Sequence, residues 1–311
     1  MNIIERIQSD FSLSMHDVRV LLYTAARRYK LHHIEKRHGR GKRLIAQPTA
    51  EIKMLQRWAI EKYINQLPVH KAATAYRVGV SIKDHAAVHA ANHYLLKLDF
   101  KDFFPSILGS HFLMHLRSHI RSHMKISDDD ANLLMQLLFR LDKETKDYVL
   151  SIGAPSSPAV SNTIMYDFDC ALANYCRANE MVYSRYADDL ALSTSKPKAL
   201  DDAYIFIKRL CREAPYPRLQ LNDAKTVFTS KKHRRQLTGL ILTNDGKPSL
   251  GRDKKRLIRS MAHRFSLNEL SQEQIMHLRG LLAFAFSIEP LFFSSINRMI
   301  GEETFHRLMK G

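Results

Sequence analysis

Two adjacent aspartates, Asp188 and Asp189, lie between two apolar runs in the stretch VYSRYADDLALS at residues 182–193. The residues on either side show no helical period, which predicts two strands joined by a tight turn. Like charges repel each other, and a plain turn needs only one aspartate. A hard divalent cation, by contrast, requires clustered oxygen ligands. The pair is either a solvated turn or part of a cation site, and the dipeptide alone favours the solvated turn.

The other acidic clusters in the chain are typical of helix starts. Ser127 precedes three aspartates at 128–130 and then an apolar-periodic run, which predicts a serine cap with acids facing the positive end of the helix dipole. Asp201 and Asp202 stand before a similar run and have the same interpretation. The pair in the hairpin precedes no helical pattern, so this structural explanation does not extend to it.

The composition indicates a globular chain with a polyanionic partner. Its 311 residues are 45% hydrophobic, which is enough for a sizeable core divided into two or three subdomains. The formal net charge is +17, and the isoelectric point is near 9.8. Basic residues concentrate in three blocks, at 27–43, 230–236 and 251–260. Nucleic acid is the expected partner, and an anionic membrane surface is the weaker alternative.

Membrane and secreted classes are disfavoured by the pattern of residues. The best apolar run covers only residues 281–288, which is far shorter than a membrane span. Residues 1–11 carry acids where a signal peptide has a basic segment and an apolar core. The three cysteines form no CxxC pair and no even framework. We therefore expect a reduced, cytoplasmic chain without a membrane segment.

The order of apolar patterns predicts a mixed α+β protein, because strands and helices follow one another without regular βαβ alternation. The predicted helices are at 1–36, 49–67, 111–124 and from Arg252 onward. A buried strand is predicted over 93–100, and a second hairpin around the Asn-Asp-Gly at 244–246. A capping box is predicted at 271–274.

Asp99 is the candidate for a third carboxylate beside the acidic hairpin, since it ends the apolar strand HYLLKLDF at 93–100. A two-metal phosphoryl-transfer site requires carboxylates that converge on two cations about 3.5–4 Å apart, and an adjacent pair supplies only part of that set. Three segments around these acids occur in order: LDFKDFFPS at 98–106, GAPSSPAVSN at 153–162 and YADD at 186–189.

These segments resemble motifs A, B and C of reverse transcriptases, and those of the bacterial retron enzymes in particular. The resemblance extends to KRLIAQP at 42–48, LNDAKT at 221–226 and HLRGLLAFAFSIEP at 277–290, so it covers nearly the whole chain. It implies a right-hand polymerase with fingers, a palm whose antiparallel sheet carries the acids, and a helical thumb. The implied divisions are N-terminal helices and fingers at 1–94, palm at 95–117, fingers at 118–154, palm at 155–250 and thumb at 251–311.

The resemblance also implies the roles of the acids. Asp99 and Asp188 correspond to ligands of two Mg²⁺ ions, with Asp189 as a further, supporting carboxylate. The backbone carbonyl of Phe100 is expected to face a metal as well. Metals in such a site polarise the α-phosphate of a dNTP and lower the pKa of the primer hydroxyl.

Nucleotide-binding residues follow from the same resemblance. Lys42, Arg43 and Lys225 stand where the family contacts the incoming triphosphate. Phe104 stands at the position whose bulky ring excludes the 2′-hydroxyl of a ribonucleotide, whereas Phe103 is expected in the core.

Two further segments resemble marks of the retron enzymes. One is HAAVH at 85–89, where histidine replaces the first asparagine, and the other is LTG at 237–239, where leucine replaces valine. Many reverse transcriptases also have glutamine where this chain has Ile152, so an amide contact near the nucleotide sugar is absent or replaced. The expected RNA-binding residues in these segments and in the last basic block are His85, His89, Leu237, Thr238, Gly239, Lys254, Lys255 and Arg256.

Histidines at helical spacing admit other interpretations. HAAVH has the spacing of a zinc-binding helix, but alanine stands at residue 86 where a zinc protease needs glutamate. A stripe of histidines at i+4 spacing runs beside an apolar stripe: His111, His115, His119 and His123. Because such steps drift around the helix, the four cannot all face one ion. We expect a solvated flank beside the core, with RNA contact as the weaker alternative.

The resemblance implies an RNA-directed DNA polymerase that copies a cognate structured non-coding RNA. Priming from a 2′-hydroxyl within that RNA gives a branched RNA–DNA hybrid, called msDNA. The implied partners are the RNA and its DNA product, dNTP substrates, and an effector protein encoded separately in an anti-phage defence system. Two alternatives stay open: a free-standing relative of group II intron or diversity-generating enzymes, and a non-catalytic RNA-binding protein on a polymerase scaffold. The intact acids disfavour the second alternative.

Overall fold

Helices and strands are mixed along the chain, as the sequence predicts for an α+β protein. The computed structural model describes residues 1–35, 41–120 and 126–310. The strands are β1 Tyr29–Glu35, β2 Lys42–Pro48, β3 Tyr94–Asp99, β4 Arg140–Leu141, β5 Tyr148–Val149, β6 Val182–Tyr186, β7 Asp189–Thr194, β8 Val227–Ser230, β9 Arg235–Leu237, β10 Leu240–Leu242 and β11 Pro248–Ser249.

The helices are more numerous than the predicted ones, because several are short. They are α1 Ile3–Phe11, α2 Met15–Thr24, α3 Ala50–Lys62, α4 Ile82–Ala90, α5 Phe103–Ser106, α6 Gly109–His119, α7 Asp128–Leu138, α8 Ser156–Ile164, α9 Tyr166–Ala178, α10 Ala199–Glu213, α11 Arg252–Ser266, α12 Gln272–Ile288, α13 Pro290–Ile300 and α14 Glu302–Lys310. Among the helices of the described residues, none combines the length and the apolar character that crossing a bilayer requires.

The chain is divided into two units. The first contains Met1–Val78, Leu96–Leu192 and Lys198–Val227, and the second contains Gly79–Leu95, Ser193–Pro197 and Phe228–Gly311. The predicted thumb at 251–311 falls inside the second unit. The finer division into fingers, palm and thumb stays a prediction.

The acidic hairpin belongs to a four-stranded sheet with the order β6-β7-β3-β8. Ala187 and Asp188 form the turn between β6 and β7, so the predicted strand, tight turn and strand are confirmed. Ala187 has a φ of +57°, a left-handed backbone conformation that is uncommon for residues other than glycine and that the tight turn imposes here. The carboxylate pair is therefore held at the end of a hairpin within a sheet.

Apolar residues on the central strands explain why this sheet forms. Leu96 and Leu98 of β3 and Leu190 and Leu192 of β7 are almost completely buried. Burying one such leucine stabilises the fold by about 1.5–3 kcal/mol. Two neighbouring apolar strands of this kind form a rigid base, and the acids stand where the apolar runs stop.

The predicted helix starts are confirmed, and α7 and α12 also have the predicted side-chain caps. Ser127 accepts a hydrogen bond from the backbone N–H of Asp130 at 3.1 Å, and three aspartates occupy the first turn of α7. Asp201 and Asp202 lie in the first turn of α10, although no side chain caps that helix. In the second unit, Ser271 and Gln274 form the predicted capping box of α12.

The prediction that residues 1–36 are largely helical is wrong for the last part of the segment. Residues Tyr29–Glu35 form β1, which pairs antiparallel with β2 from Tyr29 opposite Pro48 to Glu35 opposite Lys42. Nearly all of β1 is exposed, so it lacks the alternation that marks a half-buried strand. Residues 29–35 form a strand because they pair with β2, and their own sequence pattern does not show this. Residues 36–40 between the two, including Gly39 of the predicted loop, lie outside the described residues.

The second unit combines α4, a small sheet and four helices. The sheet has the order β11-β10-β9, and the predicted Asn-Asp-Gly hairpin connects β10 to β11. Gly246 in that turn has a φ of +80°, as a glycine turn residue is expected to have. From Arg252 the chain is helical, as predicted.

Candidate active site

Strand pairing brings the two predicted acidic segments together. Asp99 ends β3, and the next backbone N–H, that of Phe100, donates to the carbonyl of Asp188 at 3.2 Å. Asp189 begins β7, which lies beside β3 in the sheet. The three carboxylates therefore start from adjacent backbone positions on neighbouring strands, as a shared cation site requires.

Asp99 is the most buried of the three acids, with 7% of its surface exposed. Lys225 donates from Nζ to Asp99 Oδ2 at 2.8 Å, and Asn222 donates from Nδ2 to the same oxygen at 3.4 Å. The backbone N–H of Asn222 also donates to the carbonyl of Asp99 at 2.8 Å. The LNDAKT segment thus lies directly against the end of β3, and it places the predicted triphosphate contact Lys225 beside an acid.

The electrostatics of the hairpin show an excess of negative charge. Burial, and then the charge of Asp99, raise the pKa of Asp188, against smaller opposing effects of Lys225 and Arg43. Burial, followed by the charges of Asp188 and Asp99, raises the pKa of Asp189 to about 6. Carboxylates that are partly buried and repel one another are stabilised by any cation that binds between them. This donor set fits hard divalent cations such as Mg²⁺.

Basic residues of β2 contribute to the same field. Lys42 and Arg43 are exposed at the start of that strand, and the charge of Arg43 acts on Asp188. Tyr76 also lies near Asp188. Its pKa is raised by burial and then by the charge of that carboxylate. The structure therefore brings Arg43 and Lys225 toward the acids, whereas contact with a triphosphate stays a prediction.

The aromatic residues after Asp99 separate into core and surface. Phe100 and Phe103 are buried and stacked, with ring centroids 5.7 Å apart and planes 13° apart. The prediction that Phe103 lies in the core is confirmed. Phe104 is only half-buried, with its ring centroid 5.4 Å from that of Phe103. It is thus the ring of the two that a ligand can reach, and its role as a sugar gate stays a prediction.

Gly153 allows β2 to approach the start of motif B. Its φ is +114°, and a Cβ placed there would lie 3.1 Å from the carbonyl oxygen of Ala46. Ala46 in turn donates its backbone N–H to the carbonyl of Ile152 at 2.8 Å. Any other residue at 153 would strain the backbone and push β2 away. Ile152, which stands where many reverse transcriptases have glutamine, makes this contact through its backbone carbonyl.

Arg185 and Asp169 were not identified from the sequence, yet they support the acidic hairpin. Both side chains have no exposed surface, and Arg185 donates from Nη2 to Asp169 Oδ2 at 2.7 Å and from Nε to Oδ1 at 2.9 Å. Arg185 Nη1 also donates to the carbonyl of Ala187 at 3.0 Å and to Asn162 Oδ1 at 3.3 Å. Asn162 belongs to motif B, so the pair joins that helix to the turn before Asp188. The only signal in the sequence is an arginine inside the short strand predicted before the acidic turn.

Two of the predicted RNA-binding residues lie inside the second unit. His85 and His89 have no exposed surface, and His89 Nδ1 lies 2.8 Å from Ser193 Oγ. A side chain without exposed surface does not touch a nucleic acid, so the expectation of direct RNA contact is corrected for both histidines. Their positions favour a role in holding α4 in place.

The LTG segment lies in the turn from β9 to β10. Leu237 is buried, while Thr238 is half-buried with a φ of +46° and Gly239 is exposed with a φ of +84°. Two consecutive left-handed residues form a tight turn, which favours glycine at the second position. Only Thr238 and Gly239 present surface to a partner, and RNA binding by them stays a prediction.

The predicted basic contacts in α11 differ in what they touch. Lys255 forms an ion pair with Glu289 at 2.6 Å, and Lys254 lies 4.6 Å from the centroid of the Phe284 ring. Glu289 Oε2 also accepts the backbone N–H of Leu250 at 2.7 Å. Arg256 is exposed. Lys255 is thus part of the internal structure of the second unit, and Arg256 is the better candidate for a phosphate contact.

The histidine stripe on α6 is not a solvated flank. His111 and His115 are buried, and His119 is half-buried. The helix ends at His119, and His123 lies outside the described residues. The expectation of a solvated flank is wrong for the first two histidines, because α6 is covered on this side as well as on its apolar side.

Comparison with known proteins agrees with this geometry. The sequence model of the family described as "Reverse transcriptase (RNA-dependent DNA polymerase)" matches residues 34–242. The chain is 40% identical to the "Retron Ec83 reverse transcriptase" of Escherichia coli over 98% of this chain and 97% of that one. It is 30% identical to the "Retron Ec86 reverse transcriptase" of the same species, over 93% and 85% of the two chains.

More distant proteins also match the chain. The "Retron Mx65 reverse transcriptase" of Myxococcus xanthus is 30% identical over 85% of this chain and 62% of that one. Among solved structures, apo telomerase from Candida Tropicalis matches with a TM-score of 0.52 and 11% identity, over 87% of this chain and 58% of that one. At that identity the likeness concerns the fold alone, and it is consistent with the right-hand polymerase fold.

Proposed function

The chain belongs to the retron reverse transcriptases, which are RNA-directed DNA polymerases, and from this premise we propose the details of its reaction. It copies part of a cognate structured non-coding RNA into DNA. The primer is a 2′-hydroxyl within the RNA, so that the product is a branched RNA–DNA hybrid. The single observation that carries the catalytic part is the convergence of Asp99, Asp188 and Asp189 at the end of the sheet.

The proposed roles of the acids follow from their charge. Asp99 and Asp188 hold two Mg²⁺ ions, Asp189 supports them, and the carbonyl of Phe100 faces one ion. Bound there, the ions supply Lewis-acid activation of the primer hydroxyl and neutralise charge on the leaving pyrophosphate. The protein's own contribution is to hold the carboxylates on adjacent strands before any substrate arrives. Preorganisation of this kind accounts for much of the catalysis in phosphoryl transfer.

Basic and aromatic residues are proposed to bind the dNTP. Lys42, Arg43 and Lys225 contact the triphosphate, which requires that Lys225 move from Asp99 when Mg²⁺ and substrate bind. Phe104 stands against the sugar and rejects a 2′-hydroxyl by steric conflict. Support comes from the charge of Arg43 acting on Asp188, and from the half-buried position of Phe104 beside the buried Phe103.

The test of the reaction uses the RNA that copurifies with the protein. Purified complex is incubated with labelled dNTPs and Mg²⁺, and the products are separated under denaturing conditions before and after ribonuclease treatment. We expect labelled DNA that stays joined to RNA until a debranching enzyme removes the 2′ linkage. DNA synthesis only from an added primer with a 3′-hydroxyl would contradict 2′ priming. No synthesis from the copurifying RNA or from the added primer would contradict polymerase activity.

The sugar gate is tested with a matched pair of phenylalanines. Phe104→Ala should lower the preference for dGTP over GTP, because the space for a ribose 2′-hydroxyl opens while the metal ligands are untouched. Phe103→Ala should lower the free energy of unfolding by about 3–5 kcal/mol without changing sugar choice. The measurement is the ratio of kcat/KM for dGTP and GTP on one primed template. If only Phe103→Ala changed this ratio, the assignment of the sugar gate to Phe104 would be wrong.

The biological setting is also part of the proposal. We place the reaction in the cytoplasm, consistent with three free cysteines, and assign the product to an anti-phage defence system with a separate effector protein. This step rests on family membership. Phage plating on cells that carry the complete locus, with wild-type or Asp188→Asn enzyme, tests it. Equal plating on both strains would contradict a role of DNA synthesis in defence.

A further inference from the structure

The first unit contains a cluster of two histidines and an aspartate to which the polymerase reaction assigns no role. His115 and His119 lie one turn apart near the end of α6, and Asp167 lies in the first turn of α9. One ligand atom from each lies within 4.8 Å of those of the other two. We propose that these three side chains bind a divalent transition-metal ion of the zinc class, which would join α6 to α9.

Hydrogen bonds define the state of His115. Thr163 Oγ1 donates its proton to the carbonyl of Pro68 at 2.9 Å, so it accepts from His115 Nε2 at 2.9 Å. Because Nε2 carries the hydrogen, the lone pair of the neutral ring is on Nδ1. Tyr216 Oη lies 3.4 Å from Nδ1, but it donates its single proton to Asp167 Oδ2 at 2.9 Å. The lone pair on His115 Nδ1 is therefore buried beside Tyr216 and Asp167, and Tyr216 has no second proton to donate to it.

The other two side chains already have nearly the separation that a metal needs. His119 Nε2 lies 2.9 Å from Asp167 Oδ2. Ligand atoms about 2.0–2.2 Å from a tetrahedral zinc ion are about 3.4 Å from one another, so this pair has to open by only about half an ångström. The side chains of His119 and Asp167 are 19% and 48% exposed. An ion can therefore enter from solvent, and water can supply the fourth ligand.

The chemistry of the donors distinguishes this cluster from the acids of the polymerase site. Two imidazoles and one carboxylate suit zinc and similar ions, whereas Mg²⁺ prefers oxygen ligands alone. Two histidines at i and i+4 on one helix have the spacing of the histidine pair in zinc-binding helices. Thr163 and Tyr216 fix the orientation of two ligands through hydrogen bonds, as outer partners of metal sites do. The two contacts of Tyr216, with His115 on α6 and Asp167 on α9, link its loop to both helices.

The experiment uses Co²⁺, which absorbs strongly in visible light when nitrogen ligands hold it in tetrahedral geometry and weakly when six oxygens surround it. The full-length protein is treated with a chelator, dialysed and titrated with Co²⁺. We expect a strong band that saturates at one ion per chain and disappears when Zn²⁺ is added. Asp188→Asn should keep the band, because the polymerase acids do not produce it. Absence of a strong band in the wild-type protein would overturn the proposal.

Two ligand variants and a control complete the test. His119→Gln and Asp167→Asn should each weaken Co²⁺ binding by more than about tenfold, since losing even an outer partner of a metal ligand weakens binding 10–100-fold. His16→Gln changes an exposed histidine on α2 and should leave the band unchanged. Zn²⁺ should raise the Tm of the wild type and the control but not of the ligand variants. A band that persists in both ligand variants would place the metal elsewhere and overturn the assignment.

Discussion

Two groups of charge in the first unit are neutralised in opposite ways. Arg185 and Asp169 have no exposed surface, and each has its opposite charge at 2.7 Å within the protein. Asp99, Asp188 and Asp189 also lie largely inside, but only Lys225 forms an ion pair with one of them among the described residues. Members of both groups lie on the same hairpin, where Arg185 precedes Asp188 by three residues.

The ionisation behaviour of the two groups shows what this difference means. Burial alone would lower the pKa of Arg185, but the charge and hydrogen bonds of Asp169 outweigh it and raise the pKa. Burial and mutual repulsion instead raise the pKa of Asp188 and Asp189, so that their charged forms are disfavoured in the folded protein. The charge that supports structure is paired within the chain, whereas the acids proposed to bind metal keep an excess of negative charge that a cation would neutralise.

The largest expected effect is on activity, from removing one charge of the acidic group. Asp188→Asn keeps the shape of the side chain but removes the charge that would hold a metal ion. DNA synthesis should therefore fall by more than about 10³-fold, since even one transition-state hydrogen-bond donor contributes about 10²–10³. RNA binding should persist. Primer extension and an RNA-binding titration on the same preparation are the measurements. Synthesis near the wild-type rate would contradict the assignment of Asp188 as a metal ligand.

Breaking the buried ion pair between Arg185 and Asp169 should lower the free energy of unfolding. Arg185→Met leaves Asp169 buried without its cation, which should lower the free energy of unfolding by about 3–5 kcal/mol. The double variant Arg185→Met/Asp169→Asn should lose less than the sum of the two single variants, because both charges are gone. Urea unfolding of the four proteins measures this coupling. Additive losses would mean that the two residues stabilise the fold independently.

The pH dependence of stability should have the sign expected for repelling acids. The pKa of Asp189 is about 6 in the folded protein against 3.8 ordinarily, so its protonated form is favoured by folding. This stability is present at low pH and is lost as pH rises from about 4 to about 6, by roughly 1–3 kcal/mol. The measurement is the unfolding free energy of wild type and Asp189→Asn in the presence of a chelator. The difference between them should grow through this window, and Mg²⁺ at pH 7 should reduce it. Parallel pH curves would show that the acid is not perturbed.

The smallest expected effect comes from Lys225, the base that pairs with one of the acids. Lys225→Met removes a half-exposed positive charge 2.8 Å from Asp99 Oδ2. The pKa of Asp188 and of Asp189 should rise further, because the charge of Lys225 now lowers both. Carbon-13 NMR titration of the carboxylates measures the shift. Lys208→Met serves as the control, since Lys208 pairs with the exposed Asp223 instead.

Much of this organisation could be predicted from the sequence, because it depends on neighbours along the chain. The cap at Ser127, the turn at Ala187 and Asp188 and the core position of Phe103 follow from spacing and residue type, and all are observed. The order of the three acidic and glycine-containing segments was enough to indicate the family. Local propensity, turn chemistry and motif order are all properties that a linear pattern carries.

Only the tertiary structure decided which polar residues are paired, buried or left to bind a ligand. Arg185 finds Asp169 sixteen residues away, and His115 finds Thr163 and Tyr216 on other segments. β1 becomes a strand because β2 lies beside it, and His85 has no exposed surface, which its residue type does not predict. A charged or polar side chain has the same local pattern whether it faces water or a partner. The free energy of burying it depends on groups that folding brings to it from distant positions, and no pattern along the chain contains them.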